Sequence, residues 1–155
     1  MSTPSTARWI DPRGQRFGAA VSAVILVVSL LLGAVWLVAL VGVALGVSAA
    51  FGTRFFVLGR PWPLVRSALR LGPPAEPEHE YPPRFAQALG ATFLGAGFAL
   101  LAVGLAPWGW LPVVGVIVLQ ALLAATGYCL GCRLYFVRWY APALFNRLIG
   151  RSTAH

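Results

Sequence analysis

Between Arg16 and Arg54 the chain has no Asp, Glu, Lys or Arg over residues 17–53, and between Arg84 and Arg133 it has none over residues 85–132. Charged residues make up 10% of the sequence and hydrophobic ones 59%, whereas a soluble domain runs near a quarter and a half. The two gaps exclude an ordinary soluble fold. A helix crosses a bilayer in roughly 20 residues at about 1.5 Å each, so each gap accommodates two crossings and a tight turn. The expectation is an all-α integral membrane protein of four transmembrane helices, arranged as two tandem helical hairpins. About 80 residues would then lie in lipid, and the remainder is too short for a separate soluble domain of normal size. The whole chain, 1–155, reads as one membrane domain.

Other absences narrow the function. The two gaps contain no Asp, Glu, Lys, Arg or His, which argues against proton- or ion-coupled transport. There is no Ser, His and Asp arrangement for hydrolysis, no phosphate loop and no cofactor fingerprint, so no cofactor is expected. His79 and His155 lack the companion spacing of a zinc motif, and no metal site is expected. Lysine is missing altogether: all twelve basic residues are Arg.

The net charge of +8 would suggest nucleic acid in a soluble protein, but these arginines lie close to the ends of apolar spans. The positive-inside rule accounts for them without nucleic acid. Residues 1–16, 54–84 and 133–155 carry +2, +2 and +4, so no cluster argues for the opposite orientation. Both termini are expected in the cytoplasm. The first apolar stretch is far longer than the 7–15 residues of a signal-peptide core and reads as retained.

Residues 1–10 are polar and small and read as mobile. Asp11 and Pro12 suit a helix start, as cap and first helical residue. Helix 1 is expected over about Phe17 to Leu32, with a reversal at Gly33 and Ala34 and helix 2 to about Phe51. In residues 54–71, Trp62, Val65 and Leu69 recur at helical spacing beside Arg66 and Arg70, which predicts an amphipathic segment in the interface. The five prolines and three glutamates of residues 72–83 read as an extended linker. Helix 3 is expected over about Phe85 to Leu105, with Pro107-Trp108-Gly109-Trp110 as an interfacial turn. Helix 4 then runs from about Pro112 to Cys132. Tyr135, Phe136, Trp139 and Tyr140 follow as an aromatic belt, leading past Pro142 into an amphipathic tail.

The two halves echo each other. Arg16-Phe17-Gly18-Ala19-Ala20 is repeated as Arg84-Phe85-Ala86-Gln87-Ala88 at an offset of 68, and Gly52-Thr53-Arg54 as Gly131-Cys132-Arg133 at an offset of 79. Convergence at helix ends competes with duplication as the cause. A half with two crossings gives copies of the same orientation, unlike inverted transporter repeats.

Cys129 and Cys132 are the only cysteines. Random placement would give a separation of three roughly once in eighty chains, and on a helix the spacing puts both thiols on one face. They are expected at the cytoplasmic boundary as a resting dithiol with any disulfide transient. Three readings stay open: packing as small apolar residues, redox or sulfur transfer, and metal binding completed by other chains. Read as the end of helix 4, the pair lacks the helix amino terminus that activates thioredoxin-type cysteines. On that reading Cys132, nearer Arg133 and water, is expected to attack. Gln120 is expected to hydrogen-bond between helices, and Gly42 and Gly46 to pack within the bundle or in a homo-oligomer.

Asp11-Pro12-Arg13-Gly14-Gln15-Arg16-Phe17-Gly18-Ala19 resembles a motif of a bacterial integral-membrane family, domain-of-unknown-function family 4395. So do Leu71-Gly72-Pro73-Pro74, Pro83-Arg84-Phe85-Ala86-Gln87, and Cys129-Leu130-Gly131-Cys132 with Tyr135. The resemblance spans nearly the whole chain and implies the bacterial inner membrane, and a cytosolic thioredoxin-like or rhodanese-like partner. It defines no catalytic residues.

The first functional expectation is a membrane thiol-redox or sulfur-transfer protein acting through Cys129 and Cys132. The alternative is a noncatalytic scaffold that recruits a partner, with Arg54, Arg60, Arg66, Arg70, Arg133 and Arg138 forming a face for anionic lipid or that partner. A small-solute channel using Gln120 is a third.

Overall fold

The structure is a computed structural model that describes residues 8–74 and 76–137. Six helices make up nearly all of it: α1 (Pro12–Leu32), α2 (Val35–Phe51), α3 (Trp62–Ala68), α4 (Tyr81–Ala102), α5 (Ala106–Thr126) and α6, described over residues 130–137. α1, α4 and α5 have the length and hydropathy of membrane spans. α2 is equally apolar but shorter, at 17 residues.

Helix α1 begins one turn earlier than its apolar pattern suggests, because Asp11 caps it and Pro12 occupies its first position. The Asp11 carboxylate accepts from the Arg13 backbone N–H at 2.9 Å and from the Trp62 indole N–H at 3.1 Å. Arg66 approaches the same carboxylate at 3.8 Å. One acidic side chain thereby ties α3 to the start of α1. Gly14 completes the contact, since a methyl there would meet the Trp62 ring at 3.0 Å. Of the apolar stripe expected on α3, Trp62 turns inward onto Phe17, whereas Leu69 stays exposed. Residues 54–71 are thus not one amphipathic helix. Two 3₁₀ turns, Thr53–Phe55 and Val57–Gly59, precede α3 and send Phe56 into the core. Gly18 admits that ring, because any side chain there would overlap it.

The linker is shorter than its prolines suggest. Glu78–His79 pairs antiparallel with Trp9–Ile10, and α4 starts at Tyr81, so Pro82 and Pro83 lie in its first turn, where no backbone donor is needed. Similarly, the Pro107-Trp108-Gly109-Trp110 stretch is the beginning of α5 and not a turn. The reversal is Val103–Leu105, with Gly104 at φ 84°. Gly109 is helical because it faces Gly97 of α4: a Cβ on either would come within 2.9 Å of the other's carbonyl oxygen.

Around the bundle, α2 packs most extensively on α4 and α1 on α5. Gly42 sits against Leu94, and Gly46 against Ala91, so this small-residue pair packs inside the bundle. Two arginines lock the arrangement. Arg84, on α4, donates to the Ala49 and Ala50 carbonyls at the end of α2, at 2.9–3.0 Å. Arg16, on α1, donates to the Ala124 and Ala125 carbonyls at the end of α5, at 3.1–3.2 Å. The starts of α1 and α4 and the ends of α2 and α5 therefore share one end of the bundle. Each helix end so capped is closed by a glycine, Gly52 or Gly127, whose N–H bonds back to the helix. By position at the capped helix end, Gly52 thus corresponds to Gly127, 75 residues on, and not to Gly131 at 79.

Removing either arginine leaves helix-end carbonyls without their charged donors. Arg16→Ala and Arg84→Ala should each cost about 1–3 kcal/mol, read as a lowered unfolding midpoint in detergent, with Lys restoring only part because it cannot span two carbonyls.

Candidate functional site

The segment after α5 is where the structure departs most from the sequence reading. α5 does not continue to Cys132. It stops at Thr126, and Gly127 takes the left-handed conformation at φ 74°. Tyr128 follows, its N–H held by the Thr126 hydroxyl at 3.1 Å, and a new helix, α6, starts at residue 130. Cys129 is the residue immediately before that helix. Its carbonyl accepts from the Arg133 N–H at 3.2 Å, and its sulfur accepts from the Cys132 N–H, also at 3.2 Å. This is N-cap geometry with sulfur in the place usually taken by a hydroxyl or carboxylate oxygen. The cysteine pair therefore lies at a helix amino terminus, the end that favours thiolate, and not at the carboxyl end.

The two sulfurs are joined as a disulfide, with Cα atoms 5.2 Å apart. Both cysteines are half-buried. The two residues between them serve different purposes: Leu130 is exposed, while Gly131 meets α4 so closely that a methyl would sit 2.7 Å from the Ala86 Cβ. Tyr135, one turn on, packs against Phe85 with ring centroids 5.8 Å apart and the rings inclined at 56°. Gly131 and Tyr135 thereby dock α6 across the start of α4. Arg133 lies over the Tyr128 ring, at 5.3 Å from its centroid.

Below the disulfide is an open cavity of about 600 Å³ between α1, α4, α5 and α6. Leu45, Leu89, Val116 and Leu123 form part of its apolar wall. Its polar groups include Gln15, Arg16, His79, Gln87 and Gln120. Gln87 is buried and accepts from the Ser48 hydroxyl at 2.5 Å while its amide donates to Gln15 at 3.3 Å. Gln120 lines this space, and among the described residues it makes no hydrogen bond between helices, contrary to expectation. In the other half Phe56 packs onto Gly18, and the same residue also lines this cavity.

Several arginines expected on a lipid or partner face are engaged within the chain. Arg66 donates to the Leu71 carbonyl at 3.3 Å and approaches Asp11, and Arg54 lies 4.5 Å over the Phe55 ring. Arg60 and Arg70 flank α3. Arg138 falls outside the described residues, as do His155, Trp139, Tyr140 and the tail beyond Pro142, and residues 1–7. Among the described residues no three His, Cys, Asp or Glu side chains gather in one place.

Because only a hydrogen side chain fits between α6 and α4, Gly131→Val should lift α6 from Ala86. With the protein reduced, alkylation of Cys129 and Cys132 should then run several-fold faster than in the parent chain. Gly95→Val, at a position with open space, should leave the rate unchanged.

The comparisons bear on the same residues. Neither the curated proteins nor the solved structures gave a match. A family model described as Domain of unknown function (DUF4395) matches residues 10–139, a span that contains the Asp11 cap, both capping arginines and the cysteine pair. The chain belongs to the DUF4395 family.

Proposed function

We propose that this protein is a membrane thiol-redox protein that exchanges electrons with a partner's cysteines through Cys129 and Cys132. The observation that carries the reading is the cap of α6: the Cys129 sulfur takes the N–H of Cys132 at the start of a helix. That setting stabilises sulfur as thiolate and makes Cys129, and not Cys132, the sulfur that forms the mixed disulfide with a partner. Cys132, one turn inside the helix, resolves the mixed species.

For a partner dithiol, a partner thiolate attacks the Cys129 sulfur, forming a mixed disulfide and releasing Cys132 as thiolate. The partner's second thiolate then attacks its own sulfur in that mixed disulfide, closing a partner disulfide and releasing Cys129. The partner loses two electrons and the pair gains them. Exchange in the other direction reverses each step, and a persulfide partner would hand over sulfur at the same atom.

In this reading α2 also crosses the membrane, giving four spans in two hairpins. Seventeen residues at about 1.5 Å make roughly 25 Å, short of the hydrocarbon core by an amount that local thinning accommodates. The end of the bundle bearing the charges faces the cytoplasm of a bacterial cell by the positive-inside rule. A thioredoxin-like or rhodanese-like protein is the partner class of choice. The scaffold alternative draws less support, since two arginines of its face are engaged within the chain, Arg66 on Leu71 and Asp11 and Arg54 over Phe55.

Two measurements test this reading. In intact cells, Cys129 and Cys132 should react with a membrane-permeant maleimide and not with an impermeant one; labelling by the impermeant reagent would reverse the orientation. Under mild oxidant, Cys132→Ser should accumulate a mixed disulfide with a cytosolic protein and Cys129→Ser should accumulate much less. An absence of mixed disulfide in both variants would refute the exchange.

A further inference from the structure

The cysteine pair forms part of the wall of a cavity whose chemistry differs from that of a protein-docking surface. We propose that this cavity is the binding site of a lipid-soluble quinone, which takes electrons from the Cys129–Cys132 dithiol. The proposal rests on the thiol-exchange reading above and names the second substrate of the same sulfur pair.

Four observations converge on this class of ligand. The volume, about 600 Å³, suits a substituted ring with the first part of an apolar tail. The wall is mostly apolar, with a few hydrogen-bonding groups, among them the carboxamide of Gln120 on α5, which can donate to a carbonyl oxygen. The sulfurs are on the same wall, so an electron acceptor bound there need not leave the membrane to reach them. Finally, Phe93 on α4 and Leu119 on α5, which both line the cavity, are 51% and 42% exposed. They mark a side opening between two helices of span length, the route by which a ligand dissolved in lipid would enter.

The geometry of α4 and α5 explains why the space exists. They touch at Gly97 and Gly109, far from the charged end, and nearer that end both line the cavity. Arg84 draws the start of α4 to α2, and Arg16 draws the end of α5 to α1. The wedge between them is bridged by α6 through Gly131 and is left unfilled.

The reaction balances within the named species. The Cys129 thiolate adds to a ring carbon of the quinone, forming a carbon–sulfur bond. The Cys132 thiolate then attacks the Cys129 sulfur, breaking that bond and closing the disulfide while the electron pair passes to the ring. The two protons lost by the thiols end on the two quinone oxygens. Two thiols are oxidised to one disulfide and one quinone is reduced to one quinol. A partner dithiol returns the pair to its reduced state by the exchange already described.

The test uses the full-length chain, reduced and reconstituted in lipid vesicles, with decyl-ubiquinone as the membrane probe and glutathione disulfide as the water-soluble one. One quinol should form per dithiol consumed, and neither Cys129→Ser nor Cys132→Ser should support it. Leu119→Trp, which crowds the side opening, and Gln120→Leu, which removes a donor at nearly constant size, should each slow oxidation by decyl-ubiquinone about tenfold, equivalent to about 1.4 kcal/mol. Their oxidation by glutathione disulfide should be unchanged. If glutathione disulfide oxidises the pair but decyl-ubiquinone does not, or if all variants match the parent rate, the quinone site is overturned and thiol exchange stands. If neither probe oxidises the pair, both readings fall.

Discussion

A helix leaves its last carbonyl oxygens without partners of its own, and the architecture of this protein follows from how two such ends are met. The last carbonyls of α2 are capped by Arg84, and those of α5 by Arg16. Each arginine belongs to the other half of the chain. The caps therefore bind α4 to α2 and α1 to α5, and make the helices consecutive in sequence diverge at the charged end. Glycine at both C-caps lets the chain turn away at once, so that the segments after α2 and α5 fold back over the neighbouring helix starts.

From this near-symmetric frame the two halves part company. After α2, the 3₁₀ turns and α3 fill the available space: Phe56 lies over Gly18, and Trp62 lies over Gly14 with its indole N–H on the Asp11 cap. After α5, a single helix docks through one glycine and one tyrosine, and leaves the wedge between α4 and α5 open. The half with the unfilled wedge is the half with the thiols. Two similar halves, one packed by Phe56 and Trp62 and the other leaving a cavity beside the cysteine pair, thus share one bundle.

The charge gaps made the membrane character legible, since nothing but lipid accommodates such long uncharged runs, and Asp11-Pro12 announced the first helix start. The elements that misled were those whose sequence signal has two physical meanings. Proline marks both turns and first helical turns, so Pro82, Pro83 and Pro107 were open to either reading, and the close packing of Gly97 on Gly109 that selects helix for α5 is a tertiary contact. Gly127 fits both a packed helix interior and a left-handed cap. Choosing the first carried α5 through to Cys132 and set the repeat four residues out of register. Only the reach of Arg16 to Ala124 and Ala125 fixes where α5 ends, and that bond joins residues more than a hundred positions apart. The cavity was beyond sequence reasoning for the same reason: it is defined by where α4 and α5 separate.

The proposed exchange requires Cys129 to occupy the amino-terminal cap of α6, and the most direct measurement is a comparison of single-thiol reactivity. Cys129 in Cys132→Ser and Cys132 in Cys129→Ser would be alkylated with iodoacetamide at neutral pH in the same vesicles, and the rates compared. Faster alkylation of Cys129 is the predicted result, because the free helix N–H groups stabilise its thiolate. Faster alkylation of Cys132, or equal rates for the two, would contradict the cap assignment and the exchange chemistry built on it.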